Sequence, residues 1–246
     1  METCIEVKNV TKKYKQKTVV NQLSFCVKRG ETFGLLGHNG AGKSTTIEMI
    51  LGLKKPEEGT ATILGMNAYE KRKEIFQKVG VQLQSSSYQN AIRVEEICRE
   101  ISLLYKKPLD YHILLKQFGL DSLMKVPVSK LSGGEKQKLS LVLALIPSPE
   151  IIFLDELTTG LDVAARREVW RILNELKRKG TTIFLTTHYM EEVQSLCDRI
   201  CLIKEGKKVI EGTVEEVIST SPYQQLEEAY LWFMGNAIEK ETLANE

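Results

Sequence analysis

Nowhere in this sequence do enough apolar residues follow one another to cross a membrane. The longest runs, such as "LSLVLALIP" at 139–147, fall well short of the roughly twenty residues a spanning helix needs. The N-terminus, "METCIEVKNV", mixes polar and apolar residues, without a charged start, an apolar run and a small-residue cleavage site, so no secretory signal is expected. A surplus of one charge is missing too. With 34 Lys and Arg against 32 Asp and Glu, the net charge is only +2, whereas a nucleic-acid binder shows a concentrated basic excess. Clusters such as "TKKYKQK" (11–17) and "EKRKE" (70–74) read as solvated surface. Cysteine is sparse and scattered. The five (Cys4, Cys26, Cys98, Cys197, Cys201) are odd in number, and the closest pair lacks metal-ligand companions. That pattern argues against a disulfide framework and for small buried thiols in a reducing, cytosolic compartment.

What is present is an alternation of strands and helices. The 246 residues suffice for one large domain or two small ones. "CIEVKNV" and "VVNQLSFCVKRG" alternate as strands do, the second closing at Arg29-Gly30. "TFGLLG" (32–37), "EIIFLDE" (150–156) and "TTIFLTTH" (181–188) are unalternating apolar runs, as expected of strands buried on both faces. "KSTTIEMILGL" (43–53) reads as a helix, "GTATILG" (59–65) as a strand. Between about 86 and 147, "VEEICREISLLYKK" and "YHILLKQFG" carry apolar residues at three- and four-residue spacing, a mainly helical block punctuated by Pro108 and Pro127. "VAARREVWRILNELKRKG" (163–180) is an amphipathic helix ending in basic residues and Gly180. Helix "MEEVQSLC" and a hairpin turning at Glu205-Gly206 follow, and Thr213 and Glu216 have capping-box spacing for another helix. The pattern implies an α/β core carrying an inserted helical subdomain, without repeats, low-complexity segments or an obvious linker.

Two glycine-rich stretches carry chemistry. "GHNGAGKS" (37–44) follows a buried strand and opens a helix, which is where a phosphate cradle has to sit. Gly37, Gly40 and Gly42 let the backbone wrap so that successive N–H groups point at phosphate oxygens. Lys43 adds positive charge, and Ser44 offers a hydroxyl to Mg²⁺, which takes oxygen ligands and keeps several waters. At the end of an adjacent strand Asp155 would reach the metal, and Glu156 would orient and polarise a water for in-line attack. Gln84 ends "VGVQLQ"; its amide could touch Mg²⁺ and the attacking water, although a glutamine after a strand is ordinarily surface. His188 closes "IFLTTH" either as a helix-start residue or as a sensor of the γ-phosphate. Tyr14 is either a surface tyrosine or a flat partner for adenine. The second stretch, "KLSGGEKQKLS" (130–140), is a helix start with the chemistry of an anion site, some ninety residues beyond the first.

The order Tyr14, "GHNGAGKST", Gln84, "LSGGEKQ" (131–137), "IIFLDE", "TTGLD" (158–162) and His188 resembles the nucleotide-binding domain of an ABC transporter over roughly residues 3–220. "LSGGEKQ" is the discriminating piece, since other P-loop ATPases lack it. "TTGLDVAARREVW" and "TTHYMEEVQSLCDRI" resemble the ABC-2 branch, mostly bacterial drug, antibiotic or polysaccharide exporters. The resemblance implies an α/β fold of the P-loop NTPase, RecA-like kind, with an N-terminal antiparallel β subdomain and an inserted helical subdomain at about 86–147. The ATPase domain would span 1–220, and 221–246 would be an extension, helical and then frayed, without a marked membrane-type face.

It further implies ATP and Mg²⁺ as cofactors and an active ATPase. Tyr14, Gly37, His38, Asn39, Gly40, Ala41, Gly42, Lys43, Ser44 and Thr45 would bind nucleotide. Lys43, Gln84, Glu156 and His188 would be catalytic, and Ser44, Gln84 and Asp155 would hold the metal. Ser132, Gly133, Gly134, Gln137 and Asp162 would act in trans, on ATP held by a second copy paired head to tail. A separate membrane permease would complete the machine at the cytoplasmic face of the membrane, with 85–97 and the helices behind it as docking surface. The motifs depart from the family at Leu157, where proline is usual, and at Lys138, where arginine is more usual. Proline would stiffen the turn after Glu156 and leucine frees it; lysine keeps the charge but loses the fork geometry. A non-transport ABC ATPase acting on nucleic acid or ribosomes is the alternative. The inserted segment is too short for the long coiled coil of the DNA-repair type, and one cassette stands where the ribosomal type usually has two. A metabolic kinase is disfavoured by "LSGGEKQ".

Overall fold

Three apolar runs that fail to alternate become strands at the centre of a sheet covered on both sides. The computed structural model describes residues 2–83 and 91–235. In chain order, β1 (Thr3–Tyr14), β2 (Lys17–Lys28), β3 (Thr32–Leu36), α1 (Lys43–Ile50), β4 (Glu58–Ile63), β5 (Met66–Asn67), α2 (Arg72–Ile75) and β6 (Val79–Gln82) come first. The helices α3 (Val94–Ser102), α4 (Tyr111–Gln117) and α5 (Gly133–Leu145) follow. The chain then returns to strands with β7 (Ile151–Asp155), α6 (Val163–Arg178), β8 (Thr182–Thr187), α7 (Met190–Leu196), β9 (Arg199–Lys204), β10 (Lys207–Thr213), α8 (Val214–Ser219) and α9 (Leu226–Phe233).

The strands form an antiparallel sheet, β2-β1-β4-β5, and a larger one in the order β10-β9-β3-β8-β7-β6. In the larger sheet β9, β3, β8, β7 and β6 pair in parallel, and only β10 joins antiparallel. The alternate residues of β7 and β8 explain the missing period. Ile151, Phe153 and Phe184 face one core, shared with the antiparallel sheet and α1. Ile152, Leu154, Ile183 and Leu185 face a second core with α3, α4, α5 and α6. A third cluster packs α7, α8 and α9 on the ends of β3 and β9, through Leu36, Val193, Leu202, Val217 and Leu226.

Local chemistry accounts for several boundaries. Thr213 accepts a hydrogen bond from the Glu216 N–H, and the Glu216 carboxylate accepts one from the Thr213 N–H, closing a capping box at α8. Two elements are new relative to the sequence reading. The single-turn α2 starts inside the "EKRKE" cluster and ends one residue past it at Ile75, and Asn67 in the two-residue β5 pairs with Thr62. Both are too short for a periodic signal. The cysteines are free thiols. Burial pushes Cys98 and Cys201 up to about 12, and Cys197 is raised for the same reason, so these three stay protonated packing groups at neutral pH.

Phe25, Phe33, Phe153 and Phe184 join the two sheets, with Phe184 central: its ring centroid lies 5.4 Å from Phe153, 5.8 Å from Phe33 and 6.1 Å from Phe25. Phe184→Ala should lower unfolding free energy by about 3–5 kcal/mol. Urea denaturation checks this, and a loss below about 1 kcal/mol would contradict the packing account.

Candidate functional site

The parallel strands end level with one another, and the candidate residues hang from those ends. Leu36 pairs with Thr187, Asp155 with Thr186, and Gln82 with Leu154. The loops after β3, β7 and β8 therefore open on one edge, where ligands of open α/β sheets bind.

The loop after β3 wraps tightly because its glycines permit it. A Cβ on Gly37 would come 2.6 Å from the Ile203 carbonyl oxygen. Gly42, the N-cap of α1, has φ 106°, and a Cβ there would come 2.7 Å from the Val19 oxygen. No side chain caps α1 and its first turn holds no acid, so the first-turn N–H groups are available to an anion. Asn39, Gly40, Gly42, Lys43, Ser44 and Thr45 line a cleft of about 230 Å³ with Val19 and Glu156. His38 is exposed, its Nδ1 2.7 Å from the Asn39 oxygen, and Ala41 is buried, with its carbonyl accepting from the Gly206 N–H.

Lys43 is almost fully buried. Its Nζ donates to the carbonyls of Gly37 at 2.8 Å and His38 at 3.3 Å, and lies 3.4 Å from Glu156 Oε1. His188 Nδ1 is 3.6 Å from the same oxygen. Three of the predicted catalytic residues thus meet at one carboxylate. Glu156 stands at φ 51°, a left-handed conformation that costs an L-residue about 1–2 kcal/mol. Its N–H is held by the Thr186 carbonyl at 3.1 Å and the Thr186 hydroxyl at 3.2 Å. The same hydroxyl donates to Asp155 Oδ1. Gln84, predicted for metal and water, lies outside the described residues. Ser44 and Asp155 offer a hydroxyl and a carboxylate, hard oxygen donors suited to Mg²⁺, and no cluster of three His, Cys, Asp or Glu exists among the described residues. Few protein ligands, completed by phosphate and water, is the pattern Mg²⁺ favours.

Tyr14 is 40% exposed and has cationic neighbours over its ring, Lys54 Nζ at 5.2 Å and Lys12 Nζ at 5.9 Å from its centroid. The Glu48 carboxylate, and then the Tyr14 hydroxyl, raise Lys54 above the ordinary lysine range.

The residues predicted to act in trans form a second group. Ser132 caps α5, accepting from the Glu135 N–H, while Glu135 accepts from the Ser132 N–H at 2.7 Å, which holds its carboxyl below the ordinary range. Gly133, Gly134 and Gln137 lie in the first two turns. Asp162 caps the neighbouring α6 through the Ala165 N–H at 2.9 Å. The two helix starts touch, since a Cβ on Gly134 would lie 3.6 Å from Ala165 Cβ, and Lys138 pairs with Glu168 at 2.7 Å.

The turn between the groups is not loose, contrary to what leucine in place of proline implied. Leu157 is buried in the second core, and Thr158 donates to Glu192 Oε1 at 2.9 Å. Trp170 Nε1 donates to the same oxygen at 3.2 Å. Packing and a buried carboxylate replace the ring. Sequence reasoning missed Thr158, Trp170, Thr186 and Glu192. None of them stood out in the sequence; the hydroxyl of Thr186 after the apolar run "IFL" gained meaning only once the strand register put Asp155 opposite it.

The ABC transporter family model matches residues 20–159. The chain is 42% identical over 226 residues to Nod factor export ATP-binding protein I of Sinorhizobium fredii, covering 88% of this chain and 65% of that protein, just under two thirds. It is 41% identical to the protein of the same name from Burkholderia orbicola, covering 88% and 73%. It is 38% identical to "Probable multidrug ABC transporter ATP-binding protein YbhF" of Escherichia coli, covering 94% of this chain and 41% of that one. Among solved structures, an ATP-binding subunit of an ABC transporter superposes with TM-score 0.86 at 28% identity, covering 94% of this chain and 99% of its own. A dimeric bacterial ABC transporter cassette gives TM-score 0.78 at 25% identity, covering 85% and 98%. The chain belongs to the ABC transporter family, as one of its ATP-binding, ATP-hydrolysing cassettes.

Proposed function

We propose that this chain is the ATPase subunit of an exporter, two copies pairing head to tail around two ATP and driving a separate permease at the cytoplasmic face of the membrane. The observation that carries the reading is the meeting of Lys43 and His188 at the Glu156 carboxylate beside the glycine cleft. ATP would lie along α1, its phosphates on the loop N–H groups and Lys43, its adenine against Tyr14. Mg²⁺, when bound, supplies charge neutralisation on the phosphate oxygens; Ser44 and Asp155, with Gln84, would hold it. A water attacks the γ-phosphorus and passes a proton to Glu156, and the bond to the β–γ bridging oxygen breaks, releasing ADP and phosphate. Glu156 must turn from Lys43 to water for this, and arriving phosphate offers Lys43 a replacement partner. His188, at the same carboxylate, is placed to hydrogen-bond the γ-phosphate.

The remaining donors come from the second copy. Helix geometry leaves the Gly133 and Gly134 N–H groups without internal partners, and a helix start carries about half a positive charge. Asp162, beside them at the start of α6, would line the seam. Exporter direction rests on relatives named for Nod factor export and multidrug transport. For the permease, residues 85–90 of the expected docking segment lie outside the described residues. The helices behind it carry a groove of about 260 Å³ between β6, α3 and α5, lined by Val81, Gln82, Ile97, Ile101, Tyr105 and Leu143. Leu103 and Leu104, just past the end of α3, are exposed at 78% and 65%. An apolar groove beside exposed leucines is a surface that a short helix from a membrane subunit would cover. No helix among the described residues is long and apolar enough to cross a membrane.

Three variants test the reading. Glu156→Gln should slow ATP turnover about 100-fold or more while retaining nucleotide and accumulating a dimer on size exclusion; wild-type turnover would remove Glu156 from its role. Lys43→Ala should instead weaken nucleotide binding at least about tenfold by titration. In the Glu156→Gln background, Ser132→Arg should bind ATP yet stay monomeric, and normal ATP-driven dimerisation would end the shared-site model.

A further inference from the structure

Thr186, one residue from the end of β8, hydrogen-bonds to both acids of the site, to the side chain of Asp155 and to the backbone N–H of Glu156. It is 1% exposed, next to Leu185 and one strand from Leu35. A hydroxyl in such a place is tolerated only if its donor and acceptor capacity are both used. They are used on two consecutive residues. The hydroxyl proton goes to Asp155 Oδ1, and a lone pair accepts the Glu156 N–H at 3.2 Å. Parallel pairing makes this possible, because Asp155 lies opposite Thr186 in the β7–β8 register.

The consequences differ for the two acids. With Oδ1 of Asp155 engaged by the hydroxyl, its remaining oxygen and lone pairs keep one orientation. Glu156 is held through its backbone, at the φ of 51° that a glutamate does not adopt unaided. That φ directs its side chain at Lys43 and His188, not along the strand.

We infer that Thr186 is a positioning residue for ATP hydrolysis: one hydroxyl sets the mutual orientation of the metal-side carboxylate of Asp155 and the water-side carboxylate of Glu156. The inference rests on the proposed roles of those two acids. It makes no contact with nucleotide and no proton transfer of its own. Loss of the hydroxyl therefore acts on turnover and spares binding, because the glycine loop and Lys43 are untouched.

Thr186→Val removes the hydroxyl at nearly constant shape in a strand that favours β-branched residues. Its kcat should fall about 10–100-fold, as for misplaced catalytic groups, with KM for ATP within about twofold of wild type. The unfolding midpoint should move by a few degrees at most, and the ATP-bound dimer should accumulate on size exclusion, as expected for Glu156→Gln. Thr186→Ser keeps the hydroxyl and should return kcat to within about threefold of wild type. Thr186→Ala serves the same purpose should the valine variant fail to fold. Wild-type kcat in the valine or alanine variant, a rise in KM at unchanged kcat, or a serine variant as slow as valine would each overturn the inference. Failure of the underlying reading looks different: Glu156→Gln would itself turn over normally.

Discussion

The in-register ladder of β3, β8 and β7 is the constraint on which the site depends. Leu36 is level with Thr187 and Asp155 with Thr186, so the glycine loop, the acid pair and His188 leave the sheet at one edge. A slip of one residue in β7 would send Asp155 to the opposite face, since side chains alternate along a strand. Burial prevents the slip. Phe153 and Phe184 belong to one core, Leu154 and Leu185 to the other, and exchanging faces would misfit both. The apolar content of these strands thus serves the geometry of the charged groups at their ends.

Around that edge the fold keeps several polar groups out of water. Lys43 and Glu156 are nearly buried together, Asp155 is bonded by Thr186, and Glu192 accepts from Thr158 and Trp170. Buried ion pairs add little net stability, because desolvation offsets attraction. What they supply here is orientation. The Glu192 contacts matter for a second reason: they tie the turn after Glu156 to α6, which carries Asp162, and to α7, which follows His188. The turn joins the Lys43–Glu156–His188 cluster to the start of α6, and Leu157 and Thr158 anchor it by burial and a hydrogen bond.

The two glycine-rich stretches solve the anion problem differently. At α1 a left-handed glycine serves as N-cap, so no side chain competes for the first-turn N–H groups. At α5 Ser132 and Glu135 form a reciprocal box, which satisfies two donors and leaves those of Gly133 and Gly134 for a ligand. The first stretch is a full cradle with its lysine. The second is a helix start with a small face, suited to complete a site built elsewhere.

Much of this was legible in the residues themselves. The glycine loop, the strand-ending acids, the capping box at Thr213 and the apolar strands are local patterns, set by backbone sterics and by spacing along one element. The sequence by itself determined the nucleotide chemistry and the alternation of strands and helices. Tertiary structure decided which strands lie side by side and in what register, because hydrogen bonding between parallel strands leaves no mark on spacing along the chain. That is why Thr186 read as one more strand residue until Asp155, 31 positions earlier, was found opposite it. It is also why Leu157 looked like a loosened turn until its burial gave it an anchor, and why Glu192 gained a role only when Thr158 and Trp170 folded onto it.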